Sequence, residues 1–131
     1  RLHRRDFAIE AAVVRAILPA AMLRIIRHPA LTGIVLHAGR EIPVLDLAPR
    51  LGLEPVPGLQ PKVLIVVEQE IDGAVEWTAF PADRVSDVLV PFSQSPRPGW
   101  IRTAGRPRRI LDYAALLRLD RSSVALACRG A

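Results

Sequence analysis

The sequence predicts a mainly β protein made of two similar halves that form small β-barrels. Short apolar runs rich in β-branched residues alternate with proline- and glycine-containing loops, a pattern typical of small all-β domains. Residues 33–51 and 99–117 also match without a gap, which indicates one structural unit used twice. The identical pairs are Gly33/Gly99, Ala38/Ala104, Gly39/Gly105, Arg40/Arg106, Leu45/Leu111, Asp46/Asp112, Ala48/Ala114 and Leu51/Leu117.

The first strands of the chain follow from apolar runs and turn residues. Residues 1–18 suit either a helix or a strand, and residues 19–30 are expected to be a connection. Residues 31–36 and 41–45 are predicted strands joined by the Ala38-Gly39 turn. Pro43 in the second strand needs an edge, a bulge or a position where its missing N–H is not required.

Capping and turn residues predict the next elements along the chain. Asp46 is a suitable N-cap for a short helix that stops at Gly52, and residues 54–61 form a proline-rich loop. Residues 63–67 are the clearest buried strand, and Asp72-Gly73 predicts a hairpin turn before a returning strand over 74–80.

The C-terminal third repeats the first hairpin. We expect a β-rich run over 85–90, a loop over 93–99 and a second hairpin centred on Gly105. Asp112 then caps a final helix. Its buried face is expected to consist of Tyr113, Leu116 and Leu117.

Composition limits the classes of function. A chain of 131 residues that is 50% hydrophobic can bury a core, and it contains no apolar run long enough to span a membrane. One cysteine and three scattered histidines provide neither a disulfide nor a structural zinc site, so we expect no metal and no cofactor. The missing initiator Met predicts that the chain starts inside a longer protein or after a processed end.

Charge is distributed unevenly along the chain. The net charge is +5, but residues 63–96 hold six acidic residues and one Arg, whereas residues 97–131 hold eight Arg and two Asp. Such a charge distribution would attract an acidic partner to one end of the molecule and a basic partner to the other. An ordinary solvated surface is the alternative.

Motifs for catalysis are absent from the sequence, which argues against an enzyme and a small-molecule substrate. Glu68, Glu70 and Asp72 alternate at a strand end and are expected to form a solvated face. Residues 106–109 are predicted to be a basic hairpin tip, which makes nucleic-acid binding a rival function. No aromatic residue interleaves with that cluster as a stacking platform requires.

Residues 28–53 resemble the signature of the CheW-like domain family. The signature begins with a Pro, here Pro29, and a strand that starts with Gly, here Gly33, followed by a glycine turn at Gly39. It continues with a Pro-Val-hydrophobic-Asp strand end, here residues 43–46, and closes with Leu-Gly-Leu, here residues 51–53. Residues 82–89 resemble a second family segment and residues 110–117 the closing Leu-Asp helix. The match covers nearly the whole chain.

The resemblance implies two intertwined SH3-like barrels in one domain, residues 1–131. The approximate halves are residues 1–58 with 108–131, and residues 59–107. It also implies a non-catalytic chemotaxis adaptor that links chemoreceptor tips to the regulatory domain of the histidine kinase CheA. Such an adaptor is expected in the cytoplasm, at the inner face of membrane receptor arrays. The candidate partner-binding residues of the signature hairpin are Ile34, Val35, Ala38, Gly39 and Arg40, and Arg15 of the early strand is added to them.

Two positions depart from the family pattern, which has Arg before the turn glycine and Glu in an early strand. This chain has Ala38 and Ala16 there, and Arg15, Arg24 and Arg40 are the candidate replacements. A second interpretation keeps the fold but makes the chain the regulatory domain of a larger kinase or a fused adaptor.

Overall fold

Strands dominate the protein, so the predicted mainly β fold class is confirmed. The structure, a computed structural model, describes residues 1–85, 93–94, 100–103, 106–113 and 115–116. The strands are β1 (Phe7–Ala8), β2 (Val14–Pro19), β3 (Arg24–Ile25), β4 (Gly33–His37), β5 (Arg40–Val44), β6 (Val63–Ile71), β7 (Ala74–Ala82), β8 (Ser93–Gln94), β9 (Trp100–Thr103) and β10 (Arg106–Ile110).

These strands form two sheets. The larger sheet has the order β2-β6-β7-β5-β4-β3, and the smaller has the order β1-β10-β9-β8. Neighbours in the larger sheet are antiparallel except for β5 and β7, which meet in parallel at the single pair Val44 and Ala79. Pro43 therefore sits where no ladder hydrogen bond to β7 requires an N–H. The predicted division of the domain into two halves stays a prediction.

Strand β6 lies at the centre of the core because both of its faces are buried. Leu64 and Val66 point to one side, and Ile65 and Val67 point to the other, as strand alternation requires. On the first side lies the barrel cluster, defined by Val35, Ile42, Val44, Leu64, Val66 and Ala79. On the second side lies the intersheet cluster, defined by Leu2, Leu45, Leu47, Ile65, Val67, Ile71, Phe80, Ala82, Leu111, Tyr113 and Leu116.

The internal repeat corresponds to two hairpins with the same register. In the first, His37 pairs with Arg40 and Ile34 with Pro43. In the second, the equivalent pairs are Thr103 with Arg106 and Trp100 with Arg109. The predicted repetition of two paired strands is therefore confirmed, whereas the predicted turn at Gly105 lies outside the described residues.

The two predicted helix caps lead into different structures. Asp112 Oδ1 accepts a hydrogen bond from the backbone N–H of Ala115 at 3.2 Å, and Tyr113, Ala115 and Leu116 are helical, as predicted. Asp46 Oδ1 accepts from the N–H of Ala48 at 3.1 Å, but residues 48–52 form a turn, so the predicted helix there is wrong.

No helix forms over residues 48–52 because the segment ends early, at Gly52. Its φ is +68°, and the N–H of Leu53 donates to the carbonyl of Ala48 at 2.9 Å while the N–H of Gly52 donates to that of Pro49 at 3.2 Å. This pair of bonds is the Schellman ending of a helix. It closes the segment after a single turn.

Three further expectations need correction or definition. The ambiguous N-terminal segment contains β1, a 3₁₀ turn at Ala11–Val13 and β2. The expected connection over 19–30 contains a 3₁₀ turn at Ala20–Met22 and the short strand β3. The expected basic hairpin tip at 106–109 is strand β10, in which Arg108 is half-buried and Arg109 exposed.

Some predictions fall partly on residues outside the described ones. The strand predicted over 85–90 is one of them: Val85 is an exposed coil residue, and residues 86–90 lie outside the described part. The predicted burial of Leu117 also lies outside it. The loop predicted over 93–99 begins with β8, and its residues 95–99 are outside the described part. Among the described residues, no helix has the length and apolar character that a membrane crossing needs.

Candidate functional site

The β4–β5 hairpin projects an exposed tip at one end of the larger sheet. Ala38 and Gly39 form its two-residue turn with φ values of +51° and +74°. Positive φ at both positions is the geometry of a type I′ hairpin turn, whose twist matches that of the strands. Both residues are exposed, so the tip is available to a partner.

Arg40 leaves the tip and lies over an aromatic ring. Its guanidinium carbon is 4.6 Å from the ring centroid of Trp77 on β7. The parallel pairing of β5 with β7 at Val44 and Ala79 brings Arg40 and Trp77 to the same end of the sheet. Trp77 is partly buried and also packs against the barrel cluster. The stacking fixes the orientation of an exposed cation and contributes about 0.5–1 kcal/mol.

A carboxylate lies next to the tryptophan across the β6–β7 ladder. Glu68 is the direct partner of Trp77 in the antiparallel register. Its Oε2 accepts a hydrogen bond from Arg15 Nε at 2.7 Å. Arg15 also donates through Nη1 to the carbonyl of Ala12 at 2.7 Å, which holds the guanidinium in place.

A bulge in β2 explains how Arg15 reaches Glu68. The register of β2 against β6 shifts between Val14, which faces Val67, and Ala16, which faces Val66. Arg15 is therefore the extra residue of the bulge, and such residues re-aim side chains at sheet edges. Ala16, by contrast, packs against the barrel cluster.

Together these side chains form one row across four adjacent strands. The cross-strand row, as we name it, consists of Arg15 on β2, Glu68 on β6, Trp77 on β7 and Arg40 on β5. It carries two cations, one carboxylate and a large ring, and it ends beside the Ala38-Gly39 tip. Fixed charges around an aromatic anchor are the chemistry of a protein-binding surface.

The structure separates the six candidate residues that the sequence singled out. Arg15 and Arg40 belong to the cross-strand row, and Ala38 and Gly39 form the adjoining tip. Val35 is buried in the barrel cluster with 1% of its surface exposed. Ile34 points away from that cluster and is half-buried on the outer face of the hairpin.

Sequence reasoning missed Trp77 as part of the site and took Glu68 for a solvated residue. The signal was present, because a two-residue turn at Asp72-Gly73 fixes the pairing of Ile71 with Ala74. Counting back along both strands places Glu68 opposite Trp77. The contact with Arg40 depends on the long-range pairing of β5 with β7, for which the sequence has no local signal.

Further polar features of the described residues lie outside the cross-strand row. No group of three or more His, Cys, Asp or Glu side chains capable of holding a metal occurs in the described part of the chain. Burial lowers the pKa of the Arg50 guanidinium, which bonds to the carbonyl of Asp46 beside an open cleft of about 440 Å³. Burial raises the pKa of Tyr113, whose hydroxyl lies 2.8 Å from Thr78 Oγ1 inside the core.

Comparison with known proteins identifies a family whose model matches almost the entire chain. The model of the CheW-like domain matches residues 1–121. Among solved structures, the chain is similar to the scaffolding protein TtCheW from Thermoanaerobacter tengcongensis, with a TM-score of 0.66 and 20% identity, over 88% of this chain and 87% of that chain. No curated protein sequence matches the chain.

Proposed function

This chain belongs to the CheW-like domain family, and we propose that it couples chemoreceptors to the regulatory domain of the histidine kinase CheA. At the level of the family it is a chemotaxis adaptor or scaffold, and CheW-like adaptors are non-catalytic. The related structure of TtCheW is that of a scaffolding protein. The proposal places this chain in the same role, in the cytoplasm at the inner face of a receptor array.

The cross-strand row and the adjoining hairpin tip are the observation that supports this proposal most strongly. Arg40 is held over Trp77 at 4.6 Å, and Arg15 is held by Glu68 at 2.7 Å, so both guanidinium groups are oriented before a partner arrives. Because these side chains are already ordered, they lose less conformational entropy when a partner binds. Aromatic and Arg residues are also the types that most often dominate protein interfaces.

The arrangement suits a partner with a carboxylate near the hairpin tip. Arg40 has planar donors that can engage a carboxylate in a bidentate manner, which Lys cannot reproduce. Gly39 has no side chain, so a partner backbone can approach the tip closely at this residue. We therefore expect the tip and the cross-strand row to contact the CheA regulatory domain.

The kinase contact is tested by titrating the full chain with the CheA regulatory domain in a calorimeter. Arg40→Ala is expected to weaken binding roughly tenfold, because it removes both the charge and the stacked ring partner. Arg40→Lys keeps the charge and is expected to recover only part of the affinity.

Arg5→Ala is the matched control, because it removes an exposed guanidinium from the N-terminal segment. The N–H of Arg4 donates to Asp83, directly after the end of β7, so this segment lies at the end of the sheet away from the hairpin tip. Arg5→Ala is expected to bind like the wild type. Equal affinities for the wild type and Arg40→Ala would remove the cross-strand row from the interface, and no binding by the wild type would reject the kinase contact itself.

A further inference from the structure

We propose that the open cleft beside Arg50 binds a free α-amino acid with an apolar side chain. This loop cleft, as we name it, is defined by residues 29–32 on one wall and by Asp46, Pro49 and Arg50 on the other. Arg50 binds the carboxylate of the ligand, and Asp46 binds its ammonium group. This inference goes beyond the proposed function and does not depend on it.

The loop cleft lies at the end of β5 away from the hairpin tip. The N–H of Thr32 donates to the carbonyl of Val44, the last residue of β5, at 2.9 Å. This bond places residues 29–32 beside the segment that starts at Asp46. Arg40 begins β5, so at about 3.3 Å per residue roughly 15–20 Å separate the loop cleft from the cross-strand row. The two sites can therefore be occupied independently.

Both walls of the loop cleft are held in place by the fold. The N–H of Ala30 donates to His28 Nδ1 at 3.1 Å, which fixes the first wall, and the Schellman ending at Gly52 fixes the second. Leu31 from the first wall and Leu51 from the second both pack against the intersheet cluster. The cleft is therefore formed before a ligand arrives, as is usual for small-molecule sites.

Two opposite charges lie on the same wall. Arg50 donates through Nη1 to the carbonyl of Asp46, so its guanidinium is held close to that residue. A guanidinium has five N–H donors in one plane, so it can keep this bond and engage a carboxylate as well. Asp46 Oδ1 accepts from the N–H of Ala48 at 3.1 Å. Its Oδ2 is the second acceptor of the carboxylate and is suited to an ammonium group.

The balance of these charges favours a zwitterionic ligand. Burial lowers the pKa of the Arg50 guanidinium, and the negative charge of Asp46 opposes that effect, so the two groups interact in a partly dehydrated site. Asp46 would repel a simple anion and Arg50 would repel a simple amine. A ligand with both charges is attracted by both residues. A free α-amino acid carries the two charged groups on one carbon atom.

The remaining surface and the size of the loop cleft indicate the kind of side chain. Pro29, Leu31 and Pro49 supply apolar lining. The volume of about 440 Å³ falls within the range of small-molecule sites, about 300–1,000 Å³. An apolar side chain buries carbon surface against these residues, whereas a third charged group would lose water there. Leucine is therefore a suitable probe.

Titration of the full chain with L-leucine, followed by two-dimensional ¹H–¹⁵N NMR, tests the proposal. We expect shifts of the backbone signals of residues 30–32 and 46–52, with a Kd of about 1 mM for so small a ligand. The signals of Arg40 and Trp77 should not move, because the cross-strand row is distant from the loop cleft.

Two analogues of leucine test the two charges separately on the wild-type protein. In 4-methylpentanoate the ammonium group is missing, and in 3-methylbutylamine the carboxylate is missing. Each should bind at least roughly tenfold more weakly than leucine, because one charge of the loop cleft then has no counterpart in the ligand. This comparison needs no substitution and does not depend on the folding of a variant.

Variants assign the two charges to their residues. Asp46→Asn keeps a side-chain oxygen for the N–H of Ala48 but removes the negative charge, and Arg50→Gln removes the guanidinium. Both are expected to bind leucine roughly tenfold more weakly. Arg5→Gln removes an exposed cation outside the loop cleft and should bind leucine like the wild type.

No shift of the loop-cleft signals at about 20 mM leucine, well above the expected Kd, would overturn the proposal. Equal binding of leucine and either analogue would also overturn it, as would wild-type affinity in Arg50→Gln or Asp46→Asn. Binding of the CheA regulatory domain is measured separately without leucine, so failure of the amino-acid site leaves the proposed function standing, and the reverse also holds.

Discussion

Ala38 combines an unusual backbone conformation with an unusual residue choice. Its φ is +51°, in the left-handed region that side chains with a Cβ adopt at a cost of about 1–2 kcal/mol. Ala38 is exposed at the tip, so a longer side chain there would extend into solvent. Arg and Ala both carry a Cβ, and exchanging them should change the surface chemistry of the tip more than its geometry.

We therefore predict that Ala38→Arg strengthens binding of the CheA regulatory domain and changes the melting temperature little. The added guanidinium gives the tip a bidentate donor that the wild type lacks. Calorimetric titration and thermal unfolding of the same sample measure the two quantities.

Ala21→Arg is the control for added charge, since Ala21 is exposed in the 3₁₀ turn at the other end of the sheet. It should leave kinase affinity unchanged. An unchanged or weaker affinity of Ala38→Arg would mean that Ala38 is not a lost contact.

At the scale of elements, local turn chemistry was the predictable part. The Ala38-Gly39 and Asp72-Gly73 turns, and the strands on either side of them, follow from residues that accept positive φ next to apolar runs. Strand β3 was not predictable, because it has two residues and exists through its contact with β4. The turn over 48–52 was mistaken for a helix because Asp46 is a good cap and the stop at Gly52 comes after one turn.

Gly33 is the residue that allows β3 to approach β4. A Cβ at this position would overlap the carbonyl oxygen of Arg24 and would lie 2.8 Å from Leu23 Cδ1. We predict that Gly33→Ala lowers the free energy of unfolding by about 1–3 kcal/mol, because backbone must move to accommodate the methyl group. Chemical denaturation measures this loss.

Gly58→Ala serves as its comparison. Gly58 has a φ of +74° and no atom near the position of a Cβ, so its replacement adds backbone strain without overlap. The expected cost is about 1 kcal/mol. If Gly33→Ala cost no more than Gly58→Ala, the close approach of β3 would not constrain residue 33.

At the scale of the whole molecule, Tyr113 links the helical segment after β10 to the larger sheet. Its hydroxyl lies 2.8 Å from Thr78 Oγ1 on β7, and its ring packs against Phe80 with centroids 5.3 Å apart. The burial that raises the pKa of this phenol favours its neutral form in the folded protein. The sequence indicated a buried Tyr113 through its helical face but not its partner on a distant strand.

The raised pKa of Tyr113 predicts how stability depends on alkaline pH. In the unfolded chain the phenol loses its proton near pH 10, whereas in the folded protein it keeps it to higher pH. The contribution of Tyr113 to the free energy of unfolding is therefore fully present below pH 10 and decreases as the pH rises above 10. Because Tyr113 is the chain's single tyrosine, the absorbance of tyrosinate reports on it directly.

We expect no tyrosinate signal from the folded chain at pH 10 and a normal titration in denaturant. Tyr113→Phe should be less stable at pH 7 by about 1–2 kcal/mol, because the Thr78 hydroxyl loses its buried partner. Its stability should also fall less steeply above pH 10. A folded wild type that titrates near pH 10 would contradict the buried environment of Tyr113.

The assembly of distant strands also decides which residues of the site could be predicted from the sequence. The family signature identified the tip and Arg40, because these lie in one continuous segment, whereas Arg15 was a candidate only as a replacement for the charge missing at Ala16. Trp77 was missed because β7 joins β5 in parallel after a long connection. The row of Arg15, Glu68, Trp77 and Arg40 exists only once four strands have assembled.

Assembly with receptor and kinase tests the central claim most directly. The measurement is co-sedimentation of the full chain with chemoreceptor signalling fragments and intact CheA. We predict that the chain enters the pellet only when both partners are present in assembled form, and that Arg40→Ala lowers its share while Arg5→Ala does not. No incorporation of the wild type, under conditions where a standard CheW adaptor incorporates, would contradict the coupling function.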